Sequence, residues 1–289
     1  MNHNFDILII GGGAVGCAVA RELSRYDVSI ALLEKEADVA AGASGRNSAV
    51  VHAGFNNKPG SLMAKLCVEG NRGFEAACRE LDVPYKKTGK LLVAFDQADL
   101  DTLARLKAQG EENGCQGLRL LSQEELRARL PQVEGIGAFE SPETAVFDPF
   151  LYTVALAENA LKNGVKFFLN TKVTAIERTA KGFRVTAGDQ AFTARRVVNC
   201  AGLHSAEVAA LAGLDRYHIY LCRGEYFILD KTDVLPMPIY PAPKAGIGGL
   251  GVLCQSHRVQ EGVKDGSLRR FKCPDAPNLG ESRPEFLLG

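Results

Sequence analysis

The sequence predicts an α/β fold, and three observations carry that expectation. First, a short apolar strand, Asp6-Ile7-Leu8-Ile9-Ile10, runs straight into Gly11-Gly12-Gly13-Ala14-Val15-Gly16. Second, an alanine-rich helix and another strand, 28–33, follow in the order of a βαβ unit and stop at Glu34. Third, strands at 165–169, 172–177, 183–187 and 196–199 read as further members of the same sheet, interrupted by residues 84–146.

The glycine run is G-x-G-x-x-G in the strand-loop-helix setting that gives the motif its meaning. The first glycine allows a tight turn, the second lets a pyrophosphate approach the backbone, and the third lets the helix pack closely on the strand. A helix N-terminus offers free N–H groups and the positive end of its dipole to phosphate. Glu34, at the end of the second strand, is placed to accept hydrogen bonds from a ribose diol and would repel a 2′-phosphate. A Rossmann-type dinucleotide site follows, with NADP disfavoured. At this point FAD and NAD, which share an ADP half, remain indistinguishable.

Length and composition bound the rest. The chain of 289 residues can bury a large core, and 46% hydrophobic with 24% charged residues is the balance of an ordinary globular protein. Lys+Arg and Asp+Glu both number 34, so net charge points to neither nucleic acid nor an anionic membrane. No apolar run approaches the ~20 residues that span a bilayer, so no integral membrane segment is expected. The N-terminus lacks a basic segment ahead of its apolar stretch, which argues against a secretory leader. Eight cysteines show neither a C-x-x-C pair nor metal-ligand spacing with histidine. No metal site is expected, and the usage fits a reducing cytoplasm.

Helical spacing over 61–81 places Leu62, Met63, Leu66, Cys67, Phe74, Cys78 and Leu81 on one face. Residues 89–95 read as a strand and 99–113 as a mostly polar helix. Ser122-Gln123-Glu124-Glu125 is a capping box, and Pro149 opens a helix over 150–162 that Asn163-Gly164 stops. The strand at 196–199 feeds Cys200-Ala201-Gly202 and a helix over 205–211. From about 257 to 289 no period of 2 or 3.6 is sustained, and the tail reads as poorly ordered.

Three segments distinguish the cofactor. Gly42-Ala43-Ser44-Gly45-Arg46-Asn47-Ser48-Ala49-Val50-Val51-His52-Ala53-Gly54 offers serine, asparagine and amides for a far phosphate, then small residues against which a flat ring can lie. Thr171-Lys172-Val173-Thr174-Ala175-Ile176-Glu177 can pair its backbone at Val173 with an adenine edge. Arg196-Val197-Val198-Asn199-Cys200-Ala201-Gly202 is a buried strand ending in small residues. In this order they resemble the D-amino-acid oxidase-like superfamily of FAD-dependent oxidoreductases. Ser61-Leu62-Met63-Ala64-Lys65-Leu66-Cys67-Val68-Glu69-Gly70-Asn71, Thr88-Gly89-Lys90-Leu91-Leu92-Val93-Ala94, Arg223-Gly224-Glu225-Tyr226, Ile239-Tyr240-Pro241-Ala242-Pro243 and Gly248-Gly249-Leu250-Gly251-Val252 are similar to its L-2-hydroxyglutarate oxidase/dehydrogenase and glycerol-3-phosphate dehydrogenase branch.

The resemblance, over roughly 5–253, implies a GR2-like FAD-binding domain (1–83 and 147–218). It implies an inserted α+β substrate domain on an antiparallel sheet (84–146 and 219–256), and leaves 257–289 as an aberrant tail. Gly11, Gly13, Gly16, Glu34, Lys35, Ser44, Asn47, Ser48, Val173, Ala201 and Gly202 carry over as FAD contacts. His52 falls where a family histidine lies near the flavin ring. It can orient substrate or take the hydroxyl proton as hydride moves to flavin N5, or it can simply pack or bind a phosphate. Arg223 can pair a substrate carboxylate or be a surface ion pair; Lys90 and Tyr240 are lesser candidates. The implied reaction is oxidation of a small 2-hydroxy acid such as L-2-hydroxyglutarate, with oxygen or an electron-transfer protein as acceptor. An amine or amino-acid oxidase, a glycerol-3-phosphate dehydrogenase and a catalytically silent dinucleotide-binding fragment are the alternatives.

Past Val252 the likeness stops abruptly, which reads as a frameshift, an alternative transcript end or a mis-called gene. The expectation is then that apolar faces near 219–229 and 90–95 lie open.

Overall fold

The structure, a computed structural model, describes residues 2–221, 224 and 235–243. In chain order it contains β1 (Asn2–Ile10), α1 (Ala14–Leu23), β2 (Ile30–Leu33), β3 (Val50–Val51), α2 (Leu62–Glu80), β4 (Tyr85–Lys87) and β5 (Lys90–Ala94). Next come α3 (Gln97–Glu112), β6 (Arg119–Ser122), α4 (Gln123–Arg129), β7 (Gly137–Ser141), β8 (Ala145–Phe147) and α5 (Pro149–Lys162). Then β9 (Lys166–Phe168), β10 (Ala175–Thr179), β11 (Gly182–Ala187), β12 (Gln190–Asn199), α6 (Ser205–Leu211) and β13 (Ile239–Pro241) follow.

A six-stranded sheet runs β10-β11-β12-β1-β2-β9. Its β12-β1-β2-β9 portion is parallel, and β10 and β11 extend it as antiparallel hairpins. Because β1 and β2 are covered on both faces, they read as continuous apolar runs rather than alternating ones. On one face α1 and α5 pack through small residues, Cys17 and Ala20 against Ala157 and Ala160, which lets the helix backbones lie close to the sheet. On the other, Leu8, Ile10, Leu33, Val185 and Phe192 form a second core.

Residues 84–146 give no strand to this sheet. With β13 and β3 from outside that range, they build a four-stranded sheet, β13-β5-β7-β6, antiparallel except where β13 joins β5 in parallel, and a ribbon β3-β8-β4. The fold is thus α/β with parallel and antiparallel sheets, as the sequence predicts. The capping box on α4 is complete in both directions, and Asp148 with Pro149 opens α5. Asp96 caps α3 through the Asp99 amide, so that helix begins two residues before its apolar spacing does.

Three expectations are corrected. The face of α2 predicted to be buried is so only in its second half: Leu62, Met63 and Leu66 are exposed, whereas Cys78 is buried and Cys67, Phe74 and Leu81 are half-buried, with Ala64 and Val68 packing inward beside them. Val68 is drawn in because it meets Gly54, whose positive φ of 97° turns the preceding loop onto the helix. The predicted strand 172–177 starts only at Ala175, because Thr171 and Thr174 donate their amides to Glu34 and Thr186 in the crossing between sheet edges. The faces of β5 do not lie open: every residue is buried, with Leu103 of α3 on one side and Leu121, Leu126 and Leu130 on the other. Residues 219–221 are irregular and exposed; apart from residue 224, the strand expected to continue to 229 and the tail from 257 lie outside the described residues. Among the described residues no helix is long and apolar enough to cross a membrane.

Candidate functional site

The C-terminal ends of β1, β2 and β12 converge on the glycine loop. Gly11 adopts φ 110°, and a Cβ there would sit 2.4 Å from the Cys200 carbonyl oxygen. A Cβ on Gly16 would fall 1.9 Å from the Gly11 carbonyl oxygen, so α1 can begin this close to the strand only with glycine at that position. The turn is closed by the Gly11 amide donating to Leu33 O and the Cys200 amide donating to Ile10 O. Gly13 occupies the N-cap without any side-chain cap, and the first turn of α1 holds no acidic residue. The helix end therefore presents amide donors and a positive dipole to an anion.

Glu34 turns back over this loop. Its Oε2 accepts from the Gly12 amide at 2.6 Å and its Oε1 from the Glu36 amide at 2.9 Å. Both oxygens are thereby oriented while retaining a lone pair each for a diol. Lys35 points elsewhere: its Nζ lies 3.2 Å from His204 Nε2, while His204 Nδ1 faces Glu207 at 3.0 Å. The Thr171 amide donates to Glu34 O at 2.7 Å, which brings the buried Val173 to the Glu34 end of the site.

Ser44 lies in a short 3₁₀ turn (Ala43–Gly45), and its Oγ accepts from the Ala14 amide at 2.9 Å. The hydroxyl keeps its own hydrogen to donate. Asn47 is used on its own loop, donating to Ala43 O and Ser44 O and accepting from the Ala49 amide. Ser48 is half-buried beside it. Ala40 and Ala49 flank this loop with φ of 59° each, a conformation costly for a residue with a Cβ. Ala201 and Gly202 close the opposite wall, with the Asn199 side chain accepting from the Ala201 amide. Gly11, Gly13, Gly16, Glu34, Ser44, Val173, Ala201 and Gly202 are thus brought together. Lys35 faces His204, and Arg223 lies outside the described residues.

The ribbon strand β3 carries the chain to His52. Its Nδ1 is buried without a hydrogen-bond partner, and burial, aided by the nearby Lys90 charge, pushes the imidazole down to about 4. His52 is therefore neutral near pH 7. Beyond it the loop is pinned from α3, as Gln109 donates to Phe55 O at 3.0 Å and Asn113 donates to Gly54 O and Asn57 O at 3.0 and 2.7 Å. These two residues escaped notice in the sequence, although amides spaced i, i+4 on a polar helix are a signal of a shared polar task. Lys90 is the larger surprise: a lysine buried to 2% exposure on β5, its Nζ over the rings of Phe55 and Tyr240.

The family described as FAD dependent oxidoreductase matches residues 6–267, somewhat further than the segments quoted above. The chain belongs to this family. It is 40% identical over 251 residues to a glycerol 3-phosphate dehydrogenase of Caloramator mitchellensis, covering 85% of this chain and 52% of that one. It is 36% identical over 267 residues to the human mitochondrial L-2-hydroxyglutarate dehydrogenase, covering 86% and 58% respectively. Among solved structures it is similar to the dithionite-reduced L-alpha-glycerophosphate oxidase of Mycoplasma pneumoniae with FAD bound. That similarity has a TM-score of 0.75 at 27% identity and covers 87% of this chain and 68% of that one. The chain spans about half the length of the curated relatives it matches. FAD is the cofactor of this family of oxidoreductases, and the helix start with glycine at its N-cap, the Cβ-free turn and the turned-back carboxylate fit its ADP half.

Proposed function

We propose that this flavin oxidoreductase oxidises a small 2-hydroxy acid, with L-2-hydroxyglutarate the favoured substrate. The observation that carries this is His52: a buried, neutral imidazole whose Nδ1 has no partner in the protein. In the tautomer that leaves Nδ1 without hydrogen, this nitrogen can accept the hydroxyl proton of an alcohol, working against the burial that holds the imidazole near 4. When bound, FAD supplies the two-electron oxidising chemistry at N5. The chain's own residues hold the cofactor: Gly11, Gly13 and Gly16 admit the pyrophosphate, Ser44 donates its hydroxyl hydrogen to phosphate, and Glu34 takes the ribose diol. Asn47 and Ser48 shape the loop beneath the ribityl chain, Val173 meets the adenine edge, and Ala201 and Gly202 line the far wall. Lys35 joins through its backbone, its ammonium being turned to His204. Arg223 is assigned the substrate carboxylate, and oxygen or an electron-transfer protein reoxidises the flavin. In this reading residues 1–83 and 147–218 form the flavin domain, and 84–146 and 219–256 part of the substrate domain. The free cysteines of the described residues support a reducing, cytoplasmic setting.

Glycerol-3-phosphate oxidation is the second reading, favoured by the 40% identity to the Caloramator protein. Anaerobic addition of each compound to FAD-reconstituted protein tests both. Bleaching of the yellow colour by L-2-hydroxyglutarate alone is the expected result. Bleaching by glycerol 3-phosphate alone transfers the assignment to the second reading, and bleaching by neither ends both.

A further inference from the structure

Lys90 sits at the start of β5, paired with Ser141 of β7, on the same sheet face as Leu92 and Phe139. Its Nζ lies 4.3 Å from the centroid of the Tyr240 ring and 4.9 Å from that of Phe55. Phe55 is three residues past His52, so the ammonium and the imidazole share one end of this core, and the Lys90 charge helps hold the imidazole's pKa down. Among the described residues no carboxylate pairs with Lys90.

A buried cation without a counter-ion is an expensive feature, and two aromatic faces offset only part of the lost hydration. If packing were its sole task, methionine or leucine would fill the volume without that cost. Burial also pushes the ammonium down to about 8, with the Cys67 thiol pulling slightly the other way. The group is thus charged near neutral pH yet held close to losing its proton, and an arriving anion would relieve it. The rings occupy two sides of the ammonium and leave donor capacity for a compact acceptor, which favours an oxyanion over a larger, softer ion.

We propose that Lys90 is an oxyanion-binding residue of the substrate pocket, gripping the acidic group at the end of the substrate away from the reacting alcohol. This rests on the reading that the site oxidises a small acidic alcohol, and it names the residue that selects for the second negative charge. The oxyanion is a carboxylate in a hydroxy diacid and a phosphate monoester in glycerol phosphate.

The test is binding without turnover. Glutarate and inorganic phosphate are titrated into the full-length chain and into K90M and K90R, by calorimetry and by the shift in unfolding midpoint. Wild type is expected to bind one of them saturably, glutarate for the diacid and phosphate for the monoester. Affinity should fall as pH rises past 8. K90M should lose roughly tenfold to a hundredfold in affinity, together with the pH dependence, while K90R retains most of the affinity. Binding by K90M equal to wild type, or no binding of either anion by wild type, overturns the proposal. Should K90M fail to fold, the Lys90 15Nζ resonance in lysine-labelled wild type, identified by its absence from K90R, decides. A rise in its titration midpoint on adding the anion supports the proposal, and an unmoved signal overturns it. Anion binding through Lys90 without flavin bleaching sinks the substrate reading alone. Bleaching with an unchanged KM in K90M sinks this inference alone.

Discussion

The loop that follows His52 should owe its shape to Asn113, and the effect of removing that side chain can be worked out in advance. Asn113 Nδ2 donates to Gly54 O at 3.0 Å and to Asn57 O at 2.7 Å. In N113A the two acceptors fare differently. Gly54 O keeps the Asn57 amide at 3.3 Å, so its loss is one net hydrogen bond, about 1 kcal/mol. Asn57 O is left short of its donor in a part-buried position, adding about 1–2 kcal/mol. The sum is about 2–3 kcal/mol, with no cavity term because only an amide at a helix C-cap is removed. Urea unfolding should therefore show a lower midpoint at unchanged slope, and amides 53–57 should exchange faster than those of β1. A destabilisation under about 0.5 kcal/mol with unchanged exchange would refute the assignment of the loop's geometry to this side chain.

Three further outcomes follow from the site. G16A drives a methyl into the Gly11 carbonyl and should weaken FAD binding by about a hundredfold or more. G13A, whose Cβ meets only Ser44 Oγ at 3.0 Å, should cost far less; equal losses in a flavin-fluorescence titration would contradict the geometry. S44A uncaps the Ala14 amide and should lower stability by about 1 kcal/mol in thermal unfolding, with weaker FAD retention; unchanged values in both would argue against its bridging position. His52 has a folded value of about 4 against 6.5 when unfolded, so the folded state takes up its proton later. Stability from this group is present above 6.5 and lost as pH falls toward 4, by about 3 kcal/mol in all. H52F should remove that part of the acid sensitivity, and superimposable pH–stability curves for the two proteins would count against a buried neutral imidazole.

What could be read in the sequence was local. The Ser122 capping box and the Pro149 helix start depend on neighbours in the chain, and the glycine turn with Glu34 on one short βαβ unit; all three stand in the structure. What escaped depends on tertiary partners. Leu62, Met63 and Leu66 have core-like spacing, but Val68 and Gly54 decide which side of α2 turns inward. The strands β3, β4 and β8 are two or three residues long, too short for any periodicity, yet they position His52. Lys90 is only a lesser candidate in the sequence, because the rings of Phe55 and Tyr240, 35 residues before it and 150 after, meet its ammonium only in the folded chain.

The pairing of β1 with β12 also bears on how the protein is made. The two strands align from Asn2 with Ala191 to Ile10 with Asn199, and a side-chain bond between Thr193 and His3 spans 190 residues. At roughly 5–20 residues per second the first strand waits about 10–40 seconds for its neighbour to leave the ribosome. Through that interval the glycine turn has no Cys200 floor, and the apolar edge of β1 is unprotected. Cofactor capture is consequently a late event in the life of the nascent chain, and cellular yield should respond to chaperone supply more sharply than to flavin supply during synthesis.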